Sequence, residues 1–173
     1  LEKIIDPKVE PSLAGNLKVV SSGNINLAEK KIRGEYEVSS PKLKILFEPE
    51  VERFLPIEFK NILARGKIEN LAQGVLILKE GDLASKGLKA KYEIKILKGG
   101  KVDGFWLGQV ESLAGFFRRD FPIQGVGGVA GGIKAEPGKI RAEVKLNLEN
   151  VAYDSSPNAT MSGDLVFLKK QVK

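Results

Sequence analysis

Apolar and charged residues alternate strictly along two long stretches of the chain. From Leu88 to Ile96 every even position is apolar and every odd position is charged. The ten residues from Ile140 to Glu149 alternate without an error. Because successive side chains of a strand point to opposite faces of its sheet, each stretch predicts a long β-strand with one apolar and one solvated face.

Weaker alternation and turn-forming sequences extend this pattern to about ten or eleven strands. Short connections rich in Gly, Asn and Pro favour antiparallel neighbours, since a parallel crossover needs a dozen or more residues. The fold class predicted is therefore all-β, with mostly antiparallel long strands in a bent, elongated sheet. The weaker strands are 13–20, 25–27, 31–38, 42–47, 57–68, 74–79, 102–107, 123–135 and 164–168. The predicted turns are 21–24, 80–82, 98–101, 136–139 and 154–158.

Helical spacing of apolar residues is found in one stretch, 109–118, and predicts a short helix laid across the end of the sheet with Leu113 and Phe117 inward. A single turn is also predicted at 49–54. Each stretch ends in a large apolar residue, Pro and then Ile at the start of a strand, and the two prolines are 66 positions apart. Either the chain repeats a unit, with copies starting near 50 and 114, or proline recurs at strand starts.

The residue inventory excludes most catalytic chemistries. The 173 residues contain no cysteine and no histidine, so there is no thiol nucleophile, no disulfide, no Cys or His zinc site and no histidine general base. The densest carboxylates, Glu48, Glu50 and Glu52, have cations close in sequence and predict a solvated loop. We expect no enzymatic activity, no catalytic residue, no metal site and no cofactor.

A glycine-rich segment, 125–132, contains a formal match to the dinucleotide fingerprint G-x-G-x-x-A. That fingerprint requires a helix after the glycines, whereas Ile133 to Glu136 resumes a strand and Pro137 breaks the chain. The glycines instead indicate a strand with missing side chains, which permits coiling, a bulge or close approach of another backbone.

The net charge of +6 would suit anionic partners. The basic residues, however, are spread along the chain beside acids, which indicates a solvated face. Aromatic residues interleaved with Arg118 and Arg119 offer a stacking platform for single-stranded nucleic acid, but packing of the short helix explains them more simply. We expect no nucleic-acid partner.

The segment from Val110 to Leu168 resembles the TamB-like branch of the AsmA-like superfamily, bacterial envelope proteins built from repetitive β-strands. The resemblance lies in the helix 113–117, the sequence Phe121-Pro122-Ile123-Gln124-Gly125-Val126-Gly127-Gly128, the strand ending at 146–153, and the sequence 161–168. It implies a sheet bent into an apolar groove, in a periplasmic protein anchored to the inner membrane. It also implies that phospholipid or another acyl-chain lipid is carried between membranes, or that outer-membrane assembly is assisted, with an outer-membrane barrel protein as a partner.

We interpret residues 1–173 as a single β-rich segment of a larger envelope protein, because the chain opens on Leu1-Glu2-Lys3 without an initiating Met or a targeting segment. Its end strands should lack neighbours and permit self-association through their edges. The alternative is a closed β-sandwich acting as a structural or partner-binding module, because alternation alone does not say what covers the apolar face. The residues predicted to line a lipid groove are Leu88, Ala90, Tyr92, Ile94, Ile96, Ala142, Val144, Leu146 and Leu148.

Overall fold

The computed structural model describes residues 10–48, 57–71, 74–117 and 122–170, which form a single ten-stranded antiparallel sheet. The all-β prediction is confirmed. The strands are β1 (Glu10–Gly15), β2 (Lys18–Asn26), β3 (Lys31–Glu48), β4 (Ile57–Leu71), β5 (Val75–Ser85), β6 (Leu88–Leu97), β7 (Lys101–Val110), β8 (Ile123–Glu136), β9 (Lys139–Tyr153) and β10 (Ala159–Lys170). Two 3-10 turns are present in these ranges, at Lys98–Gly100 and Leu113–Gly115.

From β3 to β10 the sheet is a meander in which each strand pairs with the next one along the chain. At the other edge, β1 and β2 follow one another along the same side of β3, β1 against 43–48 and β2 against 31–39. The edges of the sheet are therefore β1 with β2 on one side and β10 on the other.

Two β-bulges bend the strands. Glu80 has a φ of 52° and falls at a shift of register between β5 and both of its neighbours. Asn150 has a φ of 53° and is the extra residue of β9 against both β8 and β10. Because a bulge increases the bend and the twist of its strand, both positions curve the sheet.

The two faces of the sheet differ in exposure, although no second sheet is packed on either face within the described part of the chain. On β6, Ala90 is buried and Tyr92 is half-buried. By contrast, Lys91 between these two residues and Lys89 before Ala90 are exposed. A bent sheet shields its inner side more than its outer side. The apolar side is therefore concave, and we call it the concave face; the other is the convex face.

The buried apolar cluster lies at one end of the strands, where the connection from β7 to β8 folds back. Val110, Phe116 and Leu148 form its centre. The connection is held by backbone hydrogen bonds: the N–H of Glu111 donates to the carbonyl of Gly87, and the N–H of Glu58 donates to the carbonyl of Phe116. The connection thereby joins β4 to β7 beyond the end of the short β5–β6 hairpin.

The helix predicted over 109–118 is reduced to the single 3-10 turn at Leu113–Gly115, since Gln109 and Val110 still pair with β6 and β8 in strand β7. The turn is laid across the strand ends as expected, and Leu113 and Phe117 pack inward as predicted, while Phe116 is buried more deeply than either. The turn predicted at 49–54 and the repeat start near 50 lie outside the described residues.

Two predicted turns are wrong. Residues 21–24 lie inside β2, and 80–82 lie inside β5, where Glu80 forms a bulge and the reversal follows at Gly87, with a φ of 93°. The strands predicted at 31–38 and 42–47 are one strand, β3, which passes through Pro41. The Ser40 hydroxyl supports this passage, because it donates to the Lys42 carbonyl and accepts from the Lys42 N–H.

Candidate functional site

The nine residues predicted to line a groove lie on the concave face of β6 and β9, which are separated by β7 and β8. The ladder joins them in transverse rows through β7 and β8. Leu88 is connected through Val110 and Gly127 to Leu148, and Ala90 through Gly108 and Val129 to Leu146. Ile94 is connected through Gly104 and Ile133 to Ala142. Tyr92 connects in the same way to Val144, and Ile96 to Ile140, which the prediction left out.

The row through Tyr92 is an aromatic floor in which large rings lie over glycines. Tyr92 pairs with Trp106, and Trp106 pairs with Gly131. A Cβ on Gly131 would stand 2.5 Å from the Trp106 ring, and a Cβ on Gly81 would stand 2.6 Å from the Tyr92 ring. At each of these two positions a side chain would collide with the neighbouring ring, so glycine leaves the room that the ring occupies. For Gly131, this accounts for part of the glycine-rich sequence of β8.

Tyr36 extends the aromatic floor from the other side. It pairs with Gly66 on β4, and a Cβ on Gly66 would lie 2.6 Å from the Tyr36 hydroxyl. The Tyr36 hydroxyl donates to the Tyr92 hydroxyl at 2.7 Å. Strands β3 and β6 are three strand spacings apart, roughly 14 Å, so the tyrosines meet only because both rings lie across the intervening glycines.

The concave face has little cover. The accessible surface of the chain is 12675 Å², whereas a compact monomer of 18.9 kDa exposes roughly 8300 Å². Among the described residues no large side chain is fully buried. Ile94, Val144 and Leu146 are each half-buried. The face is thus an apolar surface that the described part of the chain does not close.

One long side of the concave face is closed by the β7–β8 connection. Leu113 and Phe117 pack against the buried cluster that contains Phe116, together with Ile57 and Phe59 of β4. The connection lies in close backbone contact with the β5–β6 hairpin, since a Cβ on Gly115 would lie 2.4 Å from the carbonyl oxygen of Lys86. The apolar face is therefore walled at these strand ends.

The convex face is joined by ion pairs across the strands. Arg65 binds Glu37 directly opposite at 2.9 Å, and Arg33 binds Glu69 opposite at 3.3 Å. A depression of about 490 Å³ on this part of the sheet is lined by Arg65 and Glu37 and by four further charged residues, Glu35, Lys67, Glu80 and Asp82. Ion pairs join Arg65 to Glu37 and Lys67 to Glu80, so both basic residues of the lining are engaged and the depression keeps an excess of two carboxylates.

Glu58 is a buried carboxylate among three lysines. It lies 2.8 Å from Lys42, 3.4 Å from Lys60 and 3.5 Å from Lys44, and it is 5% exposed. The hydrogen bond from Lys42 holds the pKa of Glu58 below its ordinary value, against the opposing effect of burial. Because its backbone also bonds to Phe116, the charge cluster fixes β3 and β4 beside the wall of the concave face.

No three acidic residues of the described ranges gather to hold a metal ion. Within the same ranges, no helix is both long and apolar enough to cross a bilayer. Comparison of the chain with protein-family models, curated proteins and solved structures found no match.

Sequence reasoning missed three contributors to the site: Tyr36, Trp106 and Phe59. Tyr36 lies between Glu35 and Glu37 in one of the weaker strands, whereas Trp106 lies between Phe105 and Leu107, so alternation does not assign a face to Trp106. Phe59 belongs to the wall because β4 continues past the hairpin to meet Phe116. No pattern within 57–68 reveals that long-range contact.

Proposed function

We propose that this chain is a non-catalytic, lipid-binding segment of a bacterial envelope protein, whose concave face holds the acyl chains of phospholipid. The observation that carries the proposal is the uncovered apolar face, which extends across the rows from β6 to β9. Soluble monomers rarely expose contiguous apolar surface beyond a few hundred Å², and acyl chains cover such a face without needing hydrogen bonds.

The resemblance to TamB-like proteins supports a finer proposal: a periplasmic location with an inner-membrane anchor elsewhere in the protein. Lipid would then be conducted between membranes, or outer-membrane assembly supported, with an outer-membrane barrel protein as partner. An open sheet suits this role because a ligand can slide along the direction in which the strands stack. A closed barrel would have to open first.

The experiment is lipid capture by the purified chain. Native mass spectrometry should find phospholipid bound after purification, and a fluorescent phospholipid should bind saturably. A folded sample with neither bound lipid nor saturable uptake would overturn the proposal.

A second candidate is a module that binds a protein partner by strand addition. All nine residues of the edge strand β2 are exposed, including Val19 at 65% and Ile25 at 66%. Such an edge presents unpaired backbone groups to an incoming strand. This candidate gains support if lipid is absent and peptides of alternating sequence protect the β2 amides from hydrogen exchange.

A further inference from the structure

The hydroxyl pair of Tyr36 and Tyr92 is a polar point on an otherwise apolar part of the concave face. Apolar rows flank it on both sides: Ala64, Leu83 and Ala90 at one side, and Ile68, Leu78 and Ile94 at the other. Both rings are held by glycines beneath them, so the pair is a fixed feature of the floor.

The tyrosine pair keeps one hydroxyl proton that the hydrogen bond between the two hydroxyls does not use. Two phenol groups carry two O–H protons, and the 2.7 Å bond between the hydroxyls uses one. Within the described residues no other side chain or carbonyl accepts the second proton. Burial raises the pKa of Tyr36 and also that of Tyr92, so both groups stay protonated at neutral pH. The floor therefore offers one O–H donor to whatever covers it.

We propose that this donor binds the ester carbonyl oxygen of an acyl lipid lying on the concave face. An ester carbonyl accepts a hydrogen bond and donates none, which matches a spare proton. Each ester adjoins a hydrocarbon chain, which matches the apolar rows beside the pair. The tyrosines thus fix where along the face the ester linkage rests, and hence which rows contact the chains. This inference rests on the proposed function and adds the ligand class: ester-linked lipid in preference to ether-linked lipid.

The test compares two glycerophosphocholines with the same headgroup and chain length, one with two ester linkages and one with two ether linkages. We expect the wild-type chain to bind the ester lipid about fivefold more tightly, the effect of one neutral hydrogen bond. Each single variant, Tyr36→Phe or Tyr92→Phe, retains one hydroxyl with a free proton and should keep the preference. The double variant should lose it. Tyr153→Phe, which removes an exposed phenol elsewhere, should behave as wild type.

The outcomes separate the inference from the proposed function. Equal binding of both lipids by wild type, or a preference that survives in the double variant, would overturn the inference and leave lipid binding intact. Binding of neither lipid would overturn both. If the double variant fails to fold, the infrared spectrum of bound lipid with an isotope-labelled carbonyl decides. A carbonyl band lowered by a hydrogen bond is expected in wild type, and an unshifted band would overturn the inference.

Discussion

The ring of Phe116 meets the ring of Phe59 edge-on, with their centroids 5.5 Å apart and their planes inclined at 77°. Phe59 belongs to β4 and Phe116 to the β7–β8 connection, so the contact spans the β5–β6 hairpin between them. The neighbouring bond from the Glu58 N–H to the Phe116 carbonyl, 2.9 Å long, fixes the same junction. In a sheet with so little buried surface, this junction should carry a large share of the stability.

Replacing Phe116 by Ala should lower the free energy of unfolding by about 3 kcal/mol, because it removes a buried ring from the cluster. Guanidinium denaturation followed by circular dichroism measures this. Phe105→Ala is the matched control: Phe105 is 58% exposed on the convex face, and its loss should change stability by no more than about 0.5 kcal/mol. Equal losses in the two variants would show that the cluster is not the core.

Two glycines of β8 should respond oppositely to replacement by Ala. A Cβ on Gly131 would lie 2.5 Å from the Trp106 ring, whereas a Cβ on Gly128 would meet nothing within 4 Å. We expect Gly131→Ala to cost more than about 1 kcal/mol, since the new methyl group would also lie 2.2 Å from the Glu143 carbonyl oxygen, so that both the ring and the β9 backbone must move. Gly128→Ala should be neutral or slightly stabilising. Trp106 is the only tryptophan, so its fluorescence should shift in the first variant alone.

The strands were predictable from sequence because one face of the sheet is polar and the other apolar, so polar and apolar residues alternate along β6 and β9. Their register was not. The turn residues that sequence reasoning relied on, such as Glu80, form bulges as readily as reversals, and the choice depends on the neighbouring strand. The nine residues predicted to line a groove share one face because alternation alone assigns a face. The Tyr36–Tyr92 pair could not, since it depends on the register of four strands.

Acid should weaken the contribution of Glu58 to the stability of the folded chain. Its pKa is below the ordinary 4.5 in the folded chain, with the hydrogen bond from Lys42 as the main cause. A carboxyl group whose pKa is lower in the folded than in the unfolded chain stabilises the fold at pH values above its unfolded pKa. This stabilisation is lost as the pH falls through its folded pKa. Glu58→Gln should therefore cost about 1.5 kcal/mol at pH 7 and progressively less below about pH 4.5.

Denaturation of wild type and Glu58→Gln across a pH series would measure this difference. Glu149→Gln, which alters an exposed carboxylate on β9, is the control and should be silent throughout. A Glu58→Gln cost that stays constant down to pH 2 would contradict the assigned role of the charge.

The edges of the sheet should promote self-association. β2 and β10 each have one side without a neighbouring strand in the described sheet, and their free backbone groups can pair with a second copy. The net charge of +6 opposes this at low ionic strength, so association should increase as salt screens the repulsion. Analytical ultracentrifugation over a salt series tests it, and Val19→Lys should reduce association by adding charge to the β2 edge. A monomer under all conditions would mean that the edges are protected.

A charge placed on the concave face should spare the fold and impair lipid binding. In a closed core, Lys in place of Val144 would leave an unpaired buried charge and cost several kcal/mol. On an uncovered, half-buried position the ammonium can reach water while its stem lies on the apolar surface, so we expect a stability change below about 1 kcal/mol. Phospholipid binding should fall at least about fivefold, because the same charge would have to be desolvated by acyl chains. Leu146→Lys should behave like Val144→Lys.

Lys145→Glu between them is the control, because Lys145 is exposed on the convex face and its change should affect neither stability nor lipid uptake. Thermal unfolding and fluorescent-phospholipid titration of the three variants give both readouts. If Val144→Lys unfolds the protein, the concave face is a closed core and lipid binding there is wrong. If all three variants behave alike, the two faces are equivalent and the strand register of β9 is wrong.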